Sequence, residues 1–343
     1  LIATTIIYDS MQDWARVDEL VSRIDEHPDV DDTTRITWLQ KGGTIAADSL
    51  GDFSRSLERW YAIIAIDANH KKALDQIKKT LIESGRWEEM VIFFGERGDW
   101  SDLVKSLESQ ANSSQDDQDK IELYFKAAEI WAVELEQSDK SQRALERVLQ
   151  VDPTNVKAAE SLSVIYREGN QGSKLASVLE VILNASSVIL GSDQDLGSIE
   201  EARTSIIELA ELYEVSLRKP QQAFDWIARL LTIAPDTQDA WDTLIRLAGA
   251  VRPPLFADAI SLLMTARQQA AGLLDPEQER DLCLELSRVA RKELQDLPQA
   301  LQLSQEALSL DPSSIKALRQ LESLYEEQGN WERVVASLSE LAE

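Results

Sequence analysis

The chain has 343 residues, 43% hydrophobic and 28% charged, so it carries enough apolar side chain for an extended core, which excludes global disorder. Its 61 Asp and Glu outnumber 35 Lys and Arg, and a net charge of −26 repels phosphate backbones and anionic lipid, which excludes nucleic acid as an expected partner. A single cysteine, Cys283, leaves no intrachain disulfide and no cysteine-cluster zinc site, and no apolar run reaches the roughly 18 residues that a membrane-spanning helix needs.

Only 13 Gly and 9 Pro interrupt segments rich in Leu, Ala, Glu, Gln and Arg, which favours helices throughout. The chain opens on Leu1 rather than Met, and Leu1 to Tyr8 read as part of a packed helix. A fragment or processed product is therefore expected, with the cytoplasm favoured and an upstream signal or anchor left open. Tyr8 precedes Trp14 by six residues, as Tyr325 precedes Trp331, so the array begins partway through a unit.

Gly43 to Ala68 is the first copy of a 26-residue segment that returns without a gap at Ala128 to Pro153, Ala210 to Pro235 and Ser287 to Pro312. Its first column, Gly43, Ala128, Ala210 and Ser287, is small, as two closely approaching helices require. Three residues on, Ala46, Trp131, Tyr213 and Ala290 share that helix face. Ten residues further, Ser56, Ser141, Ala223 and Ala300 place a second close contact on the next helix. The segment closes on an apolar stripe and then Asp-Ala or a proline, which ends one helix and starts another.

Each segment is followed by a further amphipathic helix, with stripes Leu74/Ile77/Leu81, Ala159/Leu162/Tyr166, Trp241/Leu244/Ala248 and Leu318/Leu321/Tyr325. Gly85-Arg86-Trp87 and Gly329-Asn330-Trp331 turn into another helix, and Gly95 to Asp99 splits one before Trp100. Gln110 to Asp119, Gly191 to Gly197 and Ala271 to Glu277 read as connections. The whole reads as one continuous solenoid over residues 1–343, about nine hairpins in roughly 80-residue double repeats with about 18 or 19 helices, and as part of a longer protein.

Small, aromatic, small, then proline resembles the tetratricopeptide repeat, and the double unit is similar to long arrays of bacterial proteins. The best copies are Tyr124, Ala127, Ala128 and Trp131 followed by Ser141, Val148 and Pro153, and Ile206, Leu209, Ala210 and Tyr213 followed by Ala223, Leu230 and Pro235. Lys78 and Glu322 depart from it, standing where the family has Gly or Ala. The resemblance implies an all-α, right-handed α-solenoid of stacked antiparallel helix hairpins. It also implies a non-catalytic scaffold or adaptor that binds a peptide or partner protein along the concave face of the first helices. Side chains one residue beyond the small columns nominate Glu129, Glu211 and Arg288, joined by Lys72, Lys79, Arg167 and Arg319 from the intervening hairpins. No Asn pair accompanies the lysines, which disfavours the carboxylate clamp of chaperone-binding relatives. The acidity suggests a basic partner. Two alternatives stand beside this: self-association through uncapped ends at Leu1 and Leu341, or recruitment of substrate to a larger enzyme.

No catalytic, cofactor or metal site is expected. His27 and His70 have no His or Cys at ligand spacing, and phosphate-loop and nucleophile-elbow strings are missing. The acidic runs Asp29 to Asp32 and Asp116 to Asp119 lack the glycine turn and terminal glutamate of a calcium loop. The nine tryptophans, Trp14, Trp87, Trp131 and Trp331 among them, read as packing residues, and Cys283 as a small buried hydrophobe.

Overall fold

The computed structural model describes residues 2–189, 191 and 195–342, and every regular element among them is helical. Residues 1–151 and 152–343 form two compact units. The first holds α1 (Ile2–Ser10), α2 (Trp14–Asp25), α3 (Asp32–Asp48), α4 (Phe53–Ile66), α5 (Lys71–Glu83), α6 (Trp87–Glu96), α7 (Trp100–Ser113), α8 (Asp117–Val133) and α9 (Ser138–Val151). The second holds α10 (Val156–Glu168), α11 (Gly172–Ala185), α12 (Leu196–Glu211), α13 (Pro220–Ile233), α14 (Gln238–Ala250), α15 (Phe256–Gln269), α16 (Pro276–Lys292), α17 (Leu297–Leu310), α18 (Ile315–Gln328) and α19 (Trp331–Ala342). A π-helical turn, Leu212–Ser216, continues α12.

Within each unit consecutive helices pack on one another, and short connections make them antiparallel hairpins. The 26-residue segments are α3/α4, α8/α9, α12/α13 and α16/α17, and the intervening hairpins include α5/α6, α10/α11, α14/α15 and α18/α19. The split at residues 95–99 produces α7. A Cβ on Gly95 would lie 2.5 Å from the Trp100 ring, so only glycine lets that tryptophan fold back on α6. An all-α stack of antiparallel helix hairpins is the architecture observed within each unit, as the spacing predicts.

The turns repeat as closely as the helices. Gly51, Glu136, Arg218 and Gln295 hold the same place in the four long hairpins, all left-handed with φ of 67°, 51°, 54° and 55°. The amide of the next residue donates to the carbonyl of Ala46, Trp131, Tyr213 or Ala290 at 2.7–3.0 Å. This satisfies a helix-end carbonyl, and it explains why the chain accepts a left-handed residue even where glycine is not supplied. At the other end of each segment Asp67, Asp152, Ala234 and Asp311 open a turn whose last residue, His70, Asn155, Thr237 or Ser314, precedes the next helix. His70 Nδ1 and Asn155 Oδ1 each accept an amide two residues into that helix at 3.1 Å. The hydroxyls of Thr154 and Ser313 hold the Asp152 and Asp311 carboxyls below the usual carboxylate range.

Each small column lies at a helix crossing. Ser56 Oγ donates to the Gly43 carbonyl at 2.8 Å, and Ser287 Oγ donates to the Ala300 carbonyl at 2.7 Å, so the two columns bond across the pair. Trp60, fully buried, lies against Gly43, where a Cβ would sit 2.7 Å from its ring. Ala128, Ala210, Ser141 and Ala223 are buried at equivalent places, as are Ala46, Trp131, Tyr213 and Ala290.

A carboxylate stands inside the apolar stripe of α2. Asp18, 1% exposed among Val17, Leu20, Val21 and Ile24 of α2, faces two arginines of α4. Arg55 Nη1 lies 2.8 Å from Asp18 Oδ2. Arg59 Nη2 lies 3.4 Å from Asp18 Oδ1 and also donates to the Asp18 carbonyl and to Ser22 Oγ.

Cys283 is fully buried beside Leu284, Ala307 and Ala317, as its reading as a small hydrophobe required. Burial pushes its thiol from 9.0 up to about 11, against a smaller opposing pull from Arg267. Because the folded value is raised, the thiol's contribution is complete below pH 9 and is lost as pH climbs toward 11. In urea titrations from pH 8 to 11 the chain should therefore lose stability, and Cys283→Ala should remove about 2–3 kcal/mol of that loss. Parallel curves for the two proteins would contradict it.

Several expectations need correction. Gln110 to Asp119 is mostly helical, because Asp116 caps α8 by accepting from the Gln118 and Asp119 amides at 2.7 and 3.2 Å. Likewise the Asp275–Gln278 capping box starts α16 inside Ala271 to Glu277. Asp195 caps α12 and brings Gly197 into the helix, while residues 192–194 lie outside the described residues. Trp331, read as a packing residue, is 66% exposed at the start of α19. Leu1 and the Leu341 side chain, read as uncapped ends, lie outside the described residues.

Candidate docking grooves

Burying the small columns inside each hairpin leaves open space between the first helices of successive hairpins. In the first unit a groove of about 440 Å³ runs beside α1, α3 and α5, with Asp9, Trp14, Gln40, Lys41, Asp48 and Lys72 on its walls. In the second unit one of about 360 Å³ separates α14 from α16. A larger one, about 850 Å³, is framed by the C-terminal ends of α10 and α12, the start of α11 and Arg246 of α14.

The π-helical turn forms one wall of the larger groove. Its extra residue per turn shifts the side chains of Leu212–Ser216 out of α-helical register, a local feature that recurs at functional sites. Tyr213 anchors the turn from within. It is buried, and burial first, then a hydrogen bond to Glu180, raises its hydroxyl pKa. Glu180 also accepts from Trp226 Nε1 at 3.4 Å, so one carboxylate ties the turn to α13. Gly172 lets the start of α11 approach, since a Cβ there would meet Leu212 Cδ2 at 3.3 Å. With Tyr213 held inward, Val215 is left 73% exposed on the wall.

Charge on this wall is arranged in threes. Glu208, Glu211 and Glu214 succeed one another along α12 and the π-turn. Arg167 of α10 takes Glu208 in a bidentate pair at 2.9 and 2.8 Å, which raises the Arg167 pKa. Arg246 of α14 pairs with Glu214. Glu211, between them, is exposed and has no ion-pair partner among the described residues. Ion pairs between first helices recur elsewhere, Lys41 with Asp9 and Arg291 with Glu327 at 2.9 Å.

All seven nominated side chains are exposed. The larger groove brings together Arg167 and Glu211, and Lys72 lines the groove of the first unit while donating to Gln40 Oε1 at 3.3 Å. Lys79 pairs with Glu83 on its own helix at 3.7 Å, and Arg288 pairs with Glu285. Glu129 and Arg319 have no ion-pair partner among the described residues and line none of these three grooves. Sequence reasoning missed Arg246, although it stands two residues before Ala248 as Lys79 stands two before Leu81. Val215 carried no signal, because its exposure depends on the π-turn.

Among the described residues no group of three or more His, Cys, Asp or Glu could hold a metal ion. His27 Nδ1 accepts the Asp29 amide at 3.3 Å, and Asp31 accepts the Thr34 amide at 3.0 Å, so these side chains serve helix ends. No described helix is long and apolar enough to cross a membrane.

No family model matches the chain, and no curated protein matches it. Among solved structures it is similar to YrrB, described as a TPR protein with an unusual peptide-binding site, at 14% identity over 57% of this chain and 89% of that one, with a TM-score of 0.29. It is also similar to the C-terminal part of a TPR repeat-containing protein from Cytophaga hutchinsonii, at 13% identity, 83% and 98% coverage and a TM-score of 0.29. A tetratricopeptide repeat protein from Parabacteroides merdae gives 12% identity, 84% and 98% coverage and a TM-score of 0.28.

Proposed function

We propose that the chain is a non-catalytic scaffold that holds a segment of a partner protein against its first helices, with the larger groove of residues 152–343 as the principal docking surface. The observation that carries this reading is the composition of that groove. An exposed aliphatic side chain, Val215, lies beside charges that are mostly spent on one another, which suits docking and offers no activated nucleophile or base. The description of YrrB as peptide-binding agrees in kind.

A library of displayed random 12-residue peptides, selected against the full chain, tests this. Val215→Asp should lose most selected binders, at least tenfold in affinity, with an unchanged helical circular-dichroism spectrum. Lys79→Ala, outside the groove, should keep them. Binders indifferent to Val215→Asp would move the site elsewhere.

A further inference from the structure

We propose that the groove selects a basic side chain next to an aliphatic one, with Glu211 as the residue that reads the charge; this rests on the groove being a docking surface. Three observations support it. The first is the balance of charge: three carboxylates face two arginines, and the arginines of neighbouring helices occupy the outer two. An acidic side chain entering here would have to break an existing pair or face Glu211, whereas a lysine or arginine completes the third pair. The second is shape. Beside Glu211, Glu214 and Arg246 lies a cleft of about 80 Å³ between α12 and α14, floored by Ile207, Ala210 and Ile227, with Asp239 of α14 a further carboxylate on its wall that adds to the pull of Glu211 on a cation. An apolar floor with a carboxylate at its rim suits the methylene stem of a lysine, whose charged head stays near water. The third is Val215, exposed on the same wall and able to take a neighbouring aliphatic side chain. The net charge of −26 adds a field that draws basic segments to the surface and weakens with salt.

The test uses four blocked 11-residue peptides in a Gly-Ser background whose central pairs are Lys-Leu, norleucine-Leu, Glu-Leu and Lys-Ser. Each is titrated into the full chain at low salt while the Leu and Val methyl resonances are followed, Val215 among them. Lys-Leu should bind about threefold more tightly than norleucine-Leu, the order of one exposed ion pair, and Glu-Leu more weakly than both. Lys-Ser should bind more weakly than Lys-Leu. Glu211→Gln should bring the Lys-Leu preference to about one while leaving norleucine-Leu affinity unchanged. If Glu-Leu shifts Val215 at the same concentrations as Lys-Leu, docking stands and basic selectivity is overturned. A lysine preference that survives Glu211→Gln overturns the assignment to Glu211. If no peptide shifts Val215, the docking reading itself fails.

Discussion

Asp18→Ala should destabilise the 1–151 unit by about 3–5 kcal/mol, because it strands Arg59, side chain 11% exposed, without its counter-charge. Two charges taken from water are costly, and their attraction repays that cost only while both are present. Arg55, half exposed, can turn to solvent, but Arg59 is hemmed between α2 and α4 and retains only the Ser22 hydroxyl and one backbone carbonyl. Replacing both partners by apolar residues, as in Asp18→Leu with Arg59→Met, should recover most of the loss, since the apolar stripe of α2 then continues unbroken. Urea denaturation of the three proteins measures this. A single-substitution loss below about 1 kcal/mol would mean that water reaches the pair, which would then behave as a surface bridge.

Ala128→Trp should cost about 3 kcal/mol, the upper end of overpacking, while its neighbour Glu129→Ala should leave stability within about 0.5 kcal/mol. Ala128 is 3% exposed where α8 meets α9, and the residue across the crossing, Ser141, is equally enclosed. An indole there must push the hairpin apart. Glu129, the next residue, points to solvent. Melting temperatures that moved alike for the two substitutions would erase the distinction between packing column and open face on which the docking grooves depend.

The packing columns were legible because they answer to steric demands that repeat at a fixed offset. A serine can replace alanine at Ser56 or Ser287 only because each hydroxyl finds a carbonyl across the crossing. The left-handed turn residues were harder to see, since glycine marks only the first of the four and Glu136, Arg218 and Gln295 give no compositional hint. Asp18 hid inside an apolar stripe, and its partners Arg55 and Arg59 lie 37 and 41 residues away on another helix. For the groove, two of the residues nominated from the sequence, Arg167 and Glu211, lie on its walls. The pairing that neutralises Arg167 and leaves Glu211 alone was not legible, because it depends on Arg167 meeting Glu208 and Arg246 meeting Glu214 across hairpins. Connections were drawn too long where acidic runs begin helices, since the carboxylates that look like loop also cap α8 and α16.

A crystal structure of the full chain bound to a peptide selected from the random library tests the central claim most directly. The peptide is expected along α10, the π-turn and α14, with an aliphatic side chain on Val215 and no displacement of the Arg167–Glu208 pair. A peptide seated instead on the second helices, or at the exposed Trp331 end, would contradict it.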